Sequence, residues 1–250
     1  MNIPTSAWMA LGVVGLVQMM PRGAIRATVY DAAISPLTQR WYRAMLVRTP
    51  TRSHVLDVGI GTATALVVNA DLLVARRIFV TGIDVDEDYV RRGRHRIERA
   101  GLGRRARICA QDLHDHASKG YDAIYFCASL MLMPDPAGAL CHAGKLLAPG
   151  GRVILAQTFE HRRKPWMETM KPILREITTV EFGSMTYEDD FRATCGQAGM
   201  RVIEMTTLNE SAERSGRVVQ LAPRAAAPPA SGFGLRASGS AAHRTRASGY

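Results

Sequence analysis

The chain has 250 residues, 47% hydrophobic and 22% charged, which suits one sizeable α/β domain with appendages and excludes a wholly disordered or fibrous chain. Its four cysteines (Cys109, Cys127, Cys141, Cys195) are scattered without a CxxC pair. That pattern argues against a disulfide framework or a metal site, and for reduced, mostly buried thiols in an intracellular compartment. The formal charge of +10 does not build a nucleic-acid face: residues 1–50 and 223–250 carry +4 each, leaving the middle close to neutral.

In chain order, the first 21 residues carry no charge. AWMALGVVGLVQMM (Ala7–Met20) is apolar all round a helical wheel except at Gln18, so it belongs buried in protein or in lipid. It falls short of the roughly 20 apolar residues that span a bilayer. Arg22 and Arg26 supply the basic flank expected on a cytoplasmic side, and no basic region precedes the run, so a cleaved signal fits poorly. Three roles fit this segment: membrane contact through residues 3–20, packing on the domain, or organelle targeting. Residues 22–53 read as lid helices that include Tyr30 and Asp31. From 54 to 222 short apolar runs alternate with helical stretches. HVLDVG is a strand and TATALVVNADLLVARR (Thr62–Arg77) a helix. IFVTGID is a strand, followed by a helix with Asp86 at its N-cap and Gly101 at its end. Within that helix RRGRHRIER (Arg91–Arg99) reads as a solvated face. RARICAQDL and YDAIYFCAS are the third and fourth strands. A helix from Asp135 stops at Pro149 and two glycines, and RVILAQTF is the fifth strand. Thr186-x-x-Asp189 opens another helix, and RVIEMTTL and RVVQLA close the domain. Residues 223–250, rich in Ala, Gly, Ser, Pro and Arg, read as disordered. Repeating βα units imply a parallel sheet with helices on both faces, whose ligand sits at the carboxyl ends of the strands.

VLDVGIGTATAL (Val55–Leu66) places Gly59 and Gly61 between the first strand and its helix, where backbone can approach a ligand closely. The Gly-Lys-Ser/Thr of a P-loop is missing, and Thr64 stands where a dinucleotide fingerprint needs its last glycine. Asp57 ends the strand just before the loop. A carboxylate there repels pyrophosphate and suits a ligand with a cationic end, which argues against a nicotinamide-linked oxidoreductase. Asp84 ends the second strand, where a carboxylate accepts hydrogen bonds from ribose hydroxyls. Asp112 ends the third, where it can accept from an adenine amino group while Leu113 packs on the ring.

With these residues the chain resembles the class I S-adenosylmethionine-dependent methyltransferases. VLDVGIGTATAL is similar to the first family motif, GIDVD to the second, AQDL to the third and YDAIYFCAS to the fourth; LLAPGGRVIL resembles the entry to strand five. The resemblance covers His54 to Leu155, and more loosely extends to Ala222. It implies a Rossmann-like sheet of order 3-2-1-4-5-7-6 with strand seven antiparallel, and S-adenosylmethionine as cofactor. Carried over by position, Asp57 faces the methionyl amine, Gly59 and Gly61 admit the methionine moiety with Thr62 beside them, and Asp84 binds the ribose with Val85 against the adenine. Asp112 and Leu113 frame the adenine, and Cys127 and Ala128 line the floor. Ala63 replaces the third glycine of the family pattern, a change that costs little where φ is negative.

Methyl transfer from a sulfonium is an in-line displacement, and orientation alone supplies much of the rate. An oxygen or nitrogen nucleophile that must lose a proton has His114, His161 and Tyr30 as candidate bases, with Asp115 and His116 behind them. CASLMLMP (Cys127–Pro134) lacks the D/N-P-P-Y/F stretch typical of amino-group methylation on nucleobases; it reads either as a soft apolar wall or as core. HRRK (His161–Lys164) beside Trp166, Met167 and Met170 suits an anionic amphiphile, a membrane surface, or an ordinary amphipathic helix. The expectation is methyl transfer to a small-molecule or lipid-like acceptor. A non-catalytic cofactor-binding partner and a protein or RNA methyltransferase are the alternatives.

Overall fold

A computed structural model describes residues 37–162 and 187–224. The apolar segment Ala7–Met20, Tyr30, Arg163 and Lys164 of the HRRK cluster and the tail beyond 224 lie outside the described residues. Seven strands form one sheet: β1 (His54–Val58), β2 (Phe79–Asp84), β3 (Ala106–Ala110), β4 (Tyr121–Cys127), β5 (Leu147–Glu160), β6 (Met200–Glu210) and β7 (Arg214–Pro223). Their order is β3-β2-β1-β4-β5-β7-β6. The first five strands run parallel, and β7 inserts antiparallel between β5 and β6. The central strands read as near-continuous apolar runs because both faces are covered. Leu56, Ile124 and Leu155 point to one face; Val55, Ala123, Tyr125 and Ile154 point to the other.

On the second face lie helix α1 (37–48), the short helices α2 (Thr64–Val68) and α3 (Ala70–Ala75), and α4 (Glu87–Arg99). Helix α1 buries Leu37, Trp41, Tyr42, Met45 and Leu46, one stripe at helical spacing. Trp41 Nε1 donates to Asn209 Oδ1 of β6 at 3.2 Å and Arg48 Nε donates to Glu204 Oε1 of β6 at 2.8 Å. The opposite face carries α5 (Pro136–Leu146) and α6 (Glu188–Gln197), joined by Phe159, Phe191 and Met200.

Four local readings need correction. The helix expected over Thr62–Arg77 is broken at Asn69, whose side-chain amide donates to Ala65 O at 2.8 Å and to Gln39 O at 3.1 Å, competing with the backbone for the carbonyl four residues back. The Arg91–Arg99 run is not only a solvated face. Arg94 Nε donates to Ile108 O at 3.0 Å and Arg96 Nη1 to Thr62 O at 3.1 Å, which ties α4 to β3 and to the glycine loop. Of the four cysteines, none in a disulfide, only Cys195 is buried; the other three are half-buried. Asp86 caps α4 as expected, accepting from the amides of Asp88 and Tyr89. The turn after that helix ends at Gly101, φ +68°. The helix expected to open at Thr186 starts at Glu188, with Tyr187 at its cap and no side-chain cap hydrogen bond; Thr186 itself lies outside the described residues. Among the described residues no helix is long and apolar enough to cross a membrane, and no cluster of three or more His, Cys, Asp or Glu could hold a metal.

Candidate active site

The carboxyl ends of β1, β2, β3 and β4 surround a cavity of about 430 Å³. Its first wall is the loop after β1. Gly59 (φ +72°), Gly61 (+61°) and Ala63 (+55°) adopt the left-handed conformation at every second residue. A Cβ on Gly59 would lie 2.5 Å from Cβ of Ser129, so only hydrogen fits there. Ala63 is the correction: its φ is positive, and an L-residue in that region carries a cost of about 1–2 kcal/mol. Helix α4 seats against this loop because Gly93 has no side chain; a Cβ there would meet Ile108 Cδ1 at 2.9 Å and Gly61 O at 3.4 Å.

The second wall is acidic. Asp84 accepts from Gly61 N at 2.8 Å through Oδ2 and from Asp86 N at 3.0 Å through Oδ1, so the end of β2 braces the glycine loop. Asp86, Asp112 and Asp135 also line the cavity, whereas no lysine or arginine stands among its described lining residues. Val85, 71% exposed, projects a bare apolar side chain at the rim. Leu113 is buried below, and Asp112 fixes the turn after β3 by accepting from His114 N at 2.8 Å.

The third wall comes from CASLMLMP, which divides between the two expectations. Leu130 is core at 1% exposure, while Leu132, Met133 and Pro134 line the cavity. Cys127 and Ala128 form the floor, Ala128 at φ +59°. Ser129, unmarked in the sequence, holds the floor to the loop by donating from Oγ to Val58 O at 2.5 Å.

Asp57 and Thr62 do not line this cavity. They line a smaller chamber of about 40 Å³ between the glycine loop and α1, which shares Gly59 and Cys127 with the larger one. Asp57 is 1% exposed; Oδ2 accepts from Tyr42 Oη at 2.8 Å, and Oδ1 is buried with no hydrogen-bond partner. Burial pushes this carboxyl up to about 7 against the lowering pull of the Tyr42 hydrogen bond, and Asp84 adds to the rise. Burial, then the nearby Asp57 charge, raises the Cys127 thiol as well.

The candidate bases separate. His114 lines the cavity, exposed and tilted against His142 at 5.5 Å between ring centroids. His161, at the carboxyl end of β5, lies 3.7 Å from Glu210 and outside the cavity lining. His116 is buried between Gln111 and Tyr121, at 3.0 and 2.8 Å, and burial lowers its pKa; its place is structural. Asp115 is exposed and also outside the lining. Tyr42 and Ser129 are the functional candidates that sequence reasoning missed. No local motif marks either, since each acquires its partner only when α1 and β4 pack around β1.

This seven-stranded order, with a glycine loop and acids at successive strand ends, defines the class I S-adenosylmethionine-dependent methyltransferase architecture. Residues 51–205 match the methyltransferase-domain family, and the chain belongs to it. It is 27% identical over 160 residues to the O-methyltransferase cnsE of Penicillium expansum, covering 63% of this chain and 55% of that protein; it thus spans about half of that relative's length. It is 24% identical over 162 residues to the phosphatidylethanolamine N-methyltransferase of Cereibacter sphaeroides, covering 64% and 77%. Among solved structures, the O-methyltransferase NcsB1 from neocarzinostatin biosynthesis, in complex with S-adenosyl-L-homocysteine and 1,4-dihydroxy-2-naphthoic acid, superposes with a TM-score of 0.61 at 19% identity over 86% of this chain and 61% of that one. The [4+2]-cyclase SpnF superposes with a TM-score of 0.61 at 16% identity over 90% and 99%.

Proposed function

We propose that this chain transfers a methyl group from S-adenosylmethionine to a small, apolar acceptor, lipid-like or aromatic, by in-line displacement. One observation carries the reading: the cavity at the strand ends is lined by four carboxylates, an apolar wall and no lysine or arginine among its described residues. That field repels pyrophosphate and attracts a cationic donor. The donor fits the residues present, because the buried Asp57 Oδ1 has no partner and sits beside a loop whose backbone geometry leaves room for a ligand. When bound, S-adenosylmethionine supplies an electrophilic methyl on a sulfonium. Asp84, at the end of β2, presents its carboxylate to ribose hydroxyls, Val85 and Leu113 offer apolar faces to adenine, and Asp112 offers an acceptor to its amino group. Leu132, Met133 and Pro134 exclude water and seat the acceptor, and His114, also in the lining, is the candidate to take a proton from it.

The names of the relatives support this acceptor class: one is an O-methyltransferase and another acts on phosphatidylethanolamine. Membrane contact through residues 3–20 belongs to the same reading, as does a catalytic domain over 54–222.

The test is S-adenosylhomocysteine formation by the full chain with lipid-soluble and aqueous pools of cell extract, alongside donor affinity of Asp84→Ala and Asp84→Asn. Turnover in the lipid pool is the expected result. Asp84→Ala should bind the donor at least about tenfold more weakly, about 1.4 kcal/mol. Asp84→Asn, which retains one acceptor for the loop, should lose less. Unchanged donor affinity in Asp84→Ala removes the ribose assignment, and turnover on protein or RNA alone overturns the acceptor class.

A further inference from the structure

We propose that Tyr42 is a positioning residue for the methyl donor: by donating to Oδ2 of Asp57 it commits one carboxylate oxygen to helix α1 and leaves Oδ1 to receive the donor's ammonium end in the chamber beneath the glycine loop. This rests on the donor reading above.

The argument begins with an imbalance. Asp57 lies on β1, an interior strand of the sheet, at 1% exposure, and its two oxygens have one hydrogen bond between them. A buried carboxylate so poorly matched is costly unless it is protonated or meets a cation. Among the described residues none is brought to it. The described titratable groups facing it are Tyr42 from α1, Asp84 from β2, and Tyr125 and Cys127 from β4. All are acids, and no lysine or arginine stands among the described residues lining the chamber. The chamber shares Gly59 and Cys127 with the main cavity, so the two spaces adjoin at the glycine loop, and we place the donor's cationic end on the chamber side of that boundary.

Tyr42 suits the supporting role. Burial, with Asp57 beside it, holds its phenol well above the usual range, so it stays a donor throughout. Its ring packs edge-on against Tyr125 at 5.7 Å, and Tyr125 bonds in turn to Thr49 at the end of α1. The neighbouring Trp41 and Arg48 anchor the same helix to β6. The seat of α1 therefore sets which carboxylate oxygen is available. Donor binding then requires Asp57 to give up a proton, and Tyr42 makes that easier by bonding to the charged form.

The experiment is titration calorimetry of S-adenosylmethionine and S-adenosylhomocysteine from pH 5.5 to 8.5, in buffers of different ionisation enthalpy. For the wild type, affinity should rise about tenfold per pH unit up to about pH 7 and then level, with one proton released per donor bound on the rising limb. In Tyr42→Phe the limb should move up by about one pH unit. The deficit would be about tenfold at pH 6.5 and about twofold or less at pH 8.5. Asp57→Asn should give weak binding with a flat profile and no proton release. A Tyr42→Phe deficit equal at every pH, as lost packing would give, overturns the proposal, and so does a flat wild-type profile. If Tyr42→Phe does not fold, Asp57→Asn decides: an acid limb like that of the wild type overturns it and a flat profile supports it. Failure of the wild type to bind donor even at pH 8.5 overturns the donor reading itself, a result separate from either.

Discussion

At the scale of the residue, Ala63 poses a problem of magnitudes. Its left-handed backbone costs about 1–2 kcal/mol. Glycine would remove that cost but lose about 0.4–1 kcal/mol to unfolded-state entropy and about 0.8 kcal/mol for the methyl, buried at 1% exposure. The contributions nearly cancel, which is a physical reason for alanine to stand at this position. Ala63→Gly should therefore change unfolding free energy by less than about 1 kcal/mol, whereas Ala63→Val, β-branched at the same φ, should lose about 2–3 kcal/mol by denaturant titration. An Ala63→Val protein as stable as the wild type would contradict the left-handed assignment. The strand-end acids were legible in the sequence, because a strand of near-continuous apolar residues ending in Asp is a local pattern. The φ of Ala63 was not, because alanine carries no mark of left-handed backbone and only the loop's alternation imposes it.

At the scale of the element, α1 holds the second face of the sheet together. It crosses from β1, where Tyr42 meets Asp57, to β6, where Trp41 and Arg48 are bonded. Trp41→Ala leaves a cavity at a site 1% exposed and frees Asn209 Oδ1 from its indole partner, so a loss of about 3–5 kcal/mol is expected in chemical denaturation. Donor affinity should fall along with it, since the same helix props Asp57. A destabilised Trp41→Ala with wild-type donor affinity would separate the helix from the site. The βα alternation could be read from periodicity, and the sheet order was implied by the family resemblance that the motifs carry. The role of α1 could not: its partners lie 15 residues away at Asp57 and 168 at Asn209, and such pairings come from packing rather than from spacing. The break at Asn69 was hidden for a related reason, because an asparagine in an apolar helical run shows its competition for a carbonyl only once the turn is built.

At the scale of the whole molecule, Asp57 sets the empty protein's stability against its function. Its folded-state pKa, about 7, is raised above the unfolded value, so the folded state holds the proton more tightly. The stability this group contributes is full below about pH 4 and is lost as pH rises through 7. Across pH 4–7 the wild type should lose stability relative to Asp57→Asn at a slope approaching about 1.4 kcal/mol per pH unit, measured as the difference between two urea-denaturation series. Taking the difference removes the opposite contributions of Glu188 and Glu204, lowered by their arginine partners and lost below their unfolded pKa values, and of His116. A constant difference across that range would mean that Asp57 is ionised in the empty protein. The sheet order has a consequence for how the chain is made. Among the described strands the last synthesised, β7, is not the last in space: it fills the gap between β5 and β6. Until it emerges from the ribosome, β5 keeps an open edge and β6 has no neighbour. A nascent chain halted before Arg214 exposes unpaired backbone on two strands, a ready template for aggregation. Release of β7 is therefore the step that a chaperone would have most reason to guard.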